Sequence, residues 1–280
     1  MGGRNLLIKS LLAALLLAVP LAAQRGLIIF TASANGVYQN CLCPEKPLGG
    51  LERRAQFIAD LKARYPDALL LDNGDNFIDY MAPEVKDVIT ESMAFIGYDL
   101  VNLGDQDIVF GQPGYLDLPE VTKTFGEPVT ITKGALTYSI LPLIHPRVTR
   151  FYEQGPFEPF GMDSWPEQIE RWLATPLPKA TVRVLLSHAG FEADRAIARR
   201  FPGIDLIMGG HSQTILKKVA KENGVQIVNI GGNAGYVVEL ELQLRRGKLR
   251  VRDYTVHPMI LSLPAHPQVL QIIDRHLAAR

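Results

Sequence analysis

Five polar side chains placed just after apolar runs could do chemistry together: Asp75, Asp105, His188, His211 and Gln213. Two carboxylates, two imidazoles and an amide oxygen form a mixed nitrogen and oxygen ligand set. Such a set suits zinc, manganese or iron better than calcium or magnesium. A carboxylate has two oxygens, so one aspartate can bridge two ions. Two ions about 3.5–4 Å apart can clamp the attacking and leaving oxygens of a phosphoryl transfer. Each residue alone carries little weight, because an aspartate after a strand often serves a turn. His145, His257 and His266 each precede a proline and receive no role.

The elements that must deliver these side chains follow from periodicity. Apolar, β-branched runs predict buried strands over residues 26–32, 68–71, 100–103, 182–186 and 206–208. Leu51, Ala55, Ile58, Leu61 and Tyr65 recur at helical spacing, so residues 51–65 form an amphipathic helix; further helices are expected over 85–96 and 192–200. Strands alternating with helices indicate βαβ units and a parallel or mixed α/β sheet. Each early strand gives way to polar residues at its C-terminal end, where open α/β sheets place ligands. Residues 225–230, 236–244 and 248–254 read as antiparallel strands, and 264–279 as a closing helix. The segment 142–178 is rich in proline and aromatics, among them Phe151, Tyr152, Trp165 and Trp172. It reads as a long surface excursion packed by its own rings, ahead of the alternative that it walls a substrate site, with Ser164 opening a short helix as a capping box.

Lys plus Arg and Asp plus Glu each number 29, for zero net charge, so no whole-protein field gathers nucleic-acid polymers. Arg4 and Lys9, an apolar stretch over 11–23 and small residues before Gln24 have the order of a secretory signal. The expectation is export, periplasmic or extracellular, with residues 1–23 a cleaved signal or an uncleaved anchor and no other membrane contact. Cys41 and Cys43, one residue apart, are the only cysteines. Export permits a disulfide, but this spacing is tight, so a strained, reducible bond or two free thiols are both open.

The motif order DNGDNF, NLGDQDIVFG, LLSHAGF and DLIMGGHSQT, with PLGGLERRAQFI ahead of them, resembles the calcineurin-like metallophosphoesterases. The subgroup it is most similar to is the periplasmic 5′-nucleotidase catalytic domain, over residues 26–280. The resemblance implies a single α/β domain built as a two-sheet β-sandwich flanked by helices. It also implies that Asp75 is the bridging metal ligand and that His188, His211 and Gln213 match the late metal-binding motifs. The family's Gly-Asn-His-Glu motif falls on Gly104, Asp105, Gln106 and Asp107, so Asp105 remains an oxygen ligand while the transition-state histidine becomes Gln106. The first motif, Asp-x-His in the family, becomes Ser33 and Asn35, neither a strong ligand. One half of a two-metal site is therefore intact and the other degraded.

The implied activity is metal-dependent hydrolysis of a phosphate ester or nucleotide, with one or two ions of manganese, zinc or iron. Loss of the motif histidine removes a group of a kind typically worth about 10²–10³ in rate. Two alternatives compete: a catalytically inactive descendant that binds metal or ligand, and sulfur or redox chemistry in which Cys41 or Cys43 acts as thiol or replacement ligand. The chain ends directly after the catalytic fold, so the expectation is that no C-terminal nucleotide-specificity domain follows. Oligomeric state is not legible.

Overall fold

The computed structural model describes residues 23–40, 47–122, 125–150, 152 and 165–278. The expectations for the leader up to residue 22, for Cys41 and Cys43 and for the Ser164 cap lie outside these residues.

The first half of the chain alternates strand and helix as predicted: β1 (Gln24–Thr31), α1 (Leu51–Arg64), β2 (Leu69–Asp72), α2 (Pro83–Ile96), β3 (Leu100–Val101) and the short α3 (Asp105–Phe110) and α4 (Pro113–Leu116). There follow β4 (Val129–Lys133), β5 (Leu136–Ile144), α5 (Pro146–Thr149), α6 (Trp165–Ala174), β6 (Thr181–His188), α7 (Phe191–Arg200) and β7 (Leu206–Gly209). The chain closes with β8 (Ala220–Glu222), β9 (Val225–Asn229), β10 (Tyr236–Arg245), β11 (Lys248–Pro258) and α8 (Pro267–Leu277).

Two sheets result, one in the order β11-β10-β1-β2-β3 and one in the order β4-β5-β6-β7-β9-β8. In the first sheet β1–β2 and β2–β3 pair parallel while β1–β10 and β10–β11 pair antiparallel; in the second, β5, β6, β7 and β9 are parallel and the edge strands β4 and β8 pair antiparallel. Ile28, Phe30, Leu69 and Leu71 of the first sheet pack on Ile140, Val184, Leu186 and Met208 of the second. Residues of opposite parity, such as Ile29 and Leu70, turn outward onto α1, α2 and α8. α6 and α7 cover the outer face of the second sheet. Strands buried on both faces explain the unbroken apolar runs in the sequence. The architecture is the expected two-sheet sandwich flanked by helices.

Three expectations need correction. β4 and β5 were absent from the sequence reading, and β5 contains the start of the supposed excursion at Pro142. Ile169 and Trp172 of α6 pack into the core under the second sheet, and the Trp172 indole donates to Ser139 Oγ at 2.8 Å. α6 at least is part of the core, because its apolar stripe covers sheet surface, while residues 151 and 153–164 lie outside the described residues. Finally, β9 runs parallel to β7 and antiparallel only to β8, so the antiparallel expectation holds for β10 and β11 alone.

Two buried charges report on how this scaffold is held. Asp72, at the end of β2, accepts from Thr31 Oγ1 at 2.6 Å, from the Gly74 N–H at 3.0 Å and from Asn76 Nδ2 at 2.9 Å. The fully buried Arg54 guanidinium stands 3.9 Å away and donates to the Ala32 carbonyl at 3.1 Å. Removing one partner of a buried ion pair costs about 3–5 kcal/mol. Arg54→Met should therefore lower the unfolding free energy by about that amount, read as a lower urea midpoint at unchanged m-value; a loss under about 1 kcal/mol would show that Asp72 needs no cation.

Asp194 of α7 is fully buried, and its Oδ1 accepts the Ser187 hydroxyl at 2.6 Å. Burial pushes its carboxyl up to about 8, against the opposing pull of Ser187, His188 and Asn229. A native pKa raised above the unfolded value of about 3.9 means that the fold keeps a proton the unfolded chain has released. The stabilising contribution is complete below about pH 4 and is lost as pH rises to about 8. Asp194→Asn keeps the acceptor and cannot ionise, so unfolding curves across that range should fall less steeply for the variant; parallel curves would refute the assignment.

Candidate metal centre

β2, β3, β6 and β7 end side by side at one edge of the sandwich, and the polar residues that follow them converge. Asp75 follows β2 in the left-handed conformation at φ 59°, and His211 follows β7 at φ 66°. Non-glycine residues hold such backbone only where their surroundings enforce it. Here the enforcing contacts are visible. Asp107 is fully buried and accepts three backbone N–H bonds: Asp75 at 2.7 Å and Gly104 at 2.9 Å on Oδ2, and Asn76 at 2.7 Å on Oδ1. Burial, with the charge on Asp75 added, pushes Asp107 up to about 7 despite those bonds. Asp107, expected within the catalytic motif, is thus turned inward as a clamp on the loop that carries Asp75.

Asp75, Asp105, His188 and His211 come together, with one ligand atom from each lying within 4.8 Å of the others. His188 Nε2 stands 3.1 Å from both Asp75 Oδ2 and Asp105 Oδ1. His211 Nδ1 stands 3.1 Å from Asp105 Oδ1 and 3.9 Å from Asp75 Oδ2. The opposite nitrogen of His188, Nδ1, lies 2.8 Å from the Asn73 carbonyl, which can only accept. Nδ1 therefore carries a proton, and in the neutral ring Nε2 is a bare lone pair aimed at two carboxylate oxygens. Three electron-rich atoms at that spacing demand a cation among them, either a proton or a metal. Burial lowers the basicity of His188, but the charges and hydrogen bonds of Asp75 and Asp105 outweigh it and hold the ring well above the usual imidazole range. Burial likewise raises Asp105, yet hydrogen bonds from His188 and His211 overcome it and hold its carboxyl well below the ordinary carboxylate range. The donor set fits a divalent ion of the borderline class, with the second-layer bond to His188 that such ligands normally have.

Gln213 and Asn35 lie beside this cluster, both with left-handed backbone, at φ 51° and 48°. They line the wall of a neighbouring cavity together with Gln106. Ser33 is buried and its hydroxyl has no partner among the described residues. None of these adds a carboxylate or an imidazole. Gln106 does reach the cluster through its backbone, whose N–H donates to Asp75 Oδ1 at 3.3 Å.

Three further residues reach the site, and Tyr152 comes from the aromatic segment whose alternative reading was the wall of a substrate site. Asn73 and Asn102 tie the strand ends together beneath it. Tyr152 reaches in from the aromatic segment, and its hydroxyl donates to Asp105 Oδ2 at 3.0 Å. Burial and the charge of Asp105 push the phenol up, so it stays a donor. No local pattern marks Tyr152, since its partner is 47 residues away. The two asparagines stood within quoted motifs and were legible as candidates. Loss of an outer hydrogen bond to a metal ligand typically costs 10–100-fold in affinity. Tyr152→Phe should accordingly weaken manganese or zinc binding by about tenfold in equilibrium titration; unchanged affinity would show that the phenol does not support Asp105.

Comparison with known proteins follows the same lines. No family model matches the chain. Bovine 5′-nucleotidase is 28% identical over 205 residues, covering 63% of this chain and 34% of that protein. The chain thus spans about a third of the length of the curated relatives it matches. Among solved structures, the sulfate thiohydrolase SoxB of Thermus thermophilus superposes with a TM-score of 0.75 at 17% identity, over 91% of this chain and 60% of that one. The calcineurin-like phosphoesterase YfkN of Bacillus subtilis superposes with a TM-score of 0.70 at 19% identity, over 92% of this chain and 98% of that one. The chain is thus similar to the 5′-nucleotidases over part of its length and shares the fold of the calcineurin-like phosphoesterase YfkN.

Proposed function

We propose that the protein is a metal-dependent hydrolase of phosphate esters, 5′-nucleotidase-like, that works with one strong cation position. The observation that carries this reading is the convergence of Asp75, Asp105, His188 and His211, in which His188 Nε2 faces two carboxylates at 3.1 Å. Lewis-acid polarisation of a phosphoryl oxygen and a lowered pKa for adjacent water are what a divalent ion supplies in such a place.

The chain's own groups set the terms of that chemistry. Asn73 holds the His188 ring with Nε2 inward, and Tyr152 and the Gln106 N–H hold one oxygen each of Asp105 and Asp75. Two carboxylates neutralise a divalent charge, so a phosphate dianion meets little net positive field here. Slow turnover is therefore expected, strongest for esters whose leaving group needs little help. An inactive metal-binding descendant is the second reading, and what favours it is the amide and hydroxyl character of Gln106, Asn35 and Ser33, none of which can supply the lost imidazoles or carboxylate. The thiol chemistry of Cys41 and Cys43 remains a proposal resting on their sequence position alone. We also infer export from the basic and apolar order of residues 1–23; among the described residues no helix is long and apolar enough to cross a membrane.

Purified protein should carry manganese, zinc or iron by elemental analysis and hydrolyse nucleoside monophosphates or aryl phosphates in a chelator-sensitive way. His188→Ala should cut both metal content and turnover, the latter by about 10²-fold or more. Turnover that stays at background with every added metal would favour the inactive reading, and turnover indifferent to His188→Ala would remove the site from the reaction.

A further inference from the structure

A cavity of about 820 Å³ opens beside the two carboxylates. Gln106 joins the two places: its side chain lines the cavity, while its N–H bonds Asp75. Among the described residues, no charged side chain lines this cavity. Its polar side chains are neutral, the amides of Asn35, Gln106, Gln213 and Asn233 with the phenols of Tyr80 and Tyr236, and its apolar lining includes Ile215 and the Tyr236 ring.

Two independent features mark it as built for a ligand. Asn35 is 9% exposed, and its Nδ2 is spent on Asn233 Oδ1 at 3.0 Å, which leaves the buried Asn35 Oδ1 without a donor among the described residues. An acceptor shut away from water without a partner is unfavourable, so a donor brought by a ligand is rewarded there. Around the same wall Ser33, Asn35, Gln213, Asn233 and Ala234 all hold left-handed backbone, with φ between 48° and 61°. Strain of this kind collects at ligand clamps, where the surroundings over-determine it. Gly232 permits the convergence, since a Cβ there would strike both Gln213 Oε1 and Asn35 Nδ2.

We propose that this cavity binds the uncharged, hydroxyl-bearing organic part of the substrate, where the resemblance implies a second metal. The proposal rests on the phosphoesterase reading for what it calls substrate. Amides both donate to and accept from hydroxyls, and the Ile215 and Tyr236 surfaces take the face of a ring. A divalent ion would find only neutral amide oxygens on this wall, a poor match for the borderline metals that the neighbouring cluster suits. The phosphate then lies over Asp75, Asp105, His188 and His211, with its alcohol portion in the cavity.

The test uses the full chain and two neutral probes, adenosine and methyl β-D-ribofuranoside, titrated by calorimetry without phosphate. Manganese per chain is counted in parallel by equilibrium dialysis. At least one probe should bind the wild type. Ile215→Trp, which fills the cavity, and Asn35→Asp, which charges it, should each weaken that binding about tenfold or more, and manganese should saturate at one ion per chain. Ile215 is 42% exposed, so its replacement leaves the core intact, and circular dichroism confirms folding of both variants. Absence of binding by both probes, equal binding by wild type and both variants, or two manganese ions per wild-type chain would each overturn the assignment. Binding of the probes without hydrolysis of any phosphate ester would defeat the phosphoesterase reading and leave the cavity assignment standing. Hydrolysis without probe binding would defeat the cavity assignment alone.

Discussion

The site depends on one buried link between the two sheets, made by a pair of asparagines. Asn102, after β3, donates to Asn73 Oδ1 at 2.8 Å and lies within 3.2 Å of the Leu143 and Leu186 carbonyls of β5 and β6. Asn73, after β2, donates to the Ser187 carbonyl at 2.7 Å and to that of Met208 at 3.2 Å. Strand ends leave backbone carbonyls without ladder partners, and burying them unpaired is costly. These amides satisfy carbonyls from the second sheet with side chains from the first. Asn73 then offers its own carbonyl to His188 Nδ1. The same residues that close the sandwich thus aim the imidazole.

That link makes the charged cluster tolerable. Asp75, Asp105 and His188 are nearly inaccessible to solvent, where isolated charge is expensive. Each is held by bonds from the scaffold: the Gln106 N–H and Tyr152 hydroxyl on the carboxylates, the Asn73 carbonyl on the ring and the Asp107 clamp on the backbone. Side chains so restrained cannot turn outward to relieve their mutual electrostatics, and the remaining relief is a cation at their centre. Stored strain in the left-handed Asp75 and His211 belongs to the same economy of preorganisation.

Beside this half of the site lies a half of different chemistry. Asn35, Gln213 and Asn233 keep the strained backbone that presents side chains to the cavity, yet what they present is neutral amide. The geometry of a ligand loop and the ionic character of its side chains are separable properties, and this wall has the first without the second. A site with charge on one side and neutral hydrogen bonding on the other suits a ligand divided in the same way.

Much of the arrangement was legible along the chain. Apolar runs broken by Asp72-Asn73-Gly74-Asp75, Gly104-Asp105, Ser187-His188 and Gly209-Gly210-His211 marked four strand ends, and all four meet at one edge. The ligand types of Asp75, Asp105, His188 and His211 are chemical identities, so the sequence by itself determined which donors are available and that Ser33 and Asn35 are weak ones. It also determined the period of each long element, because burial on one stripe or both faces is written in apolar spacing. β4 and β5 escaped because Pro142 interrupts the apolar run of β5 and β4 is too polar and exposed to read as a buried strand. Only the tertiary structure decided that Asp107 turns inward while Asp105 faces the cluster, that Tyr152 reaches Asp105 and that Asn35 keeps a buried oxygen unpaired among the described residues. Those outcomes are contacts between residues from 31 to 198 positions apart, set by how the two sheets stack and not by any local preference of the chain.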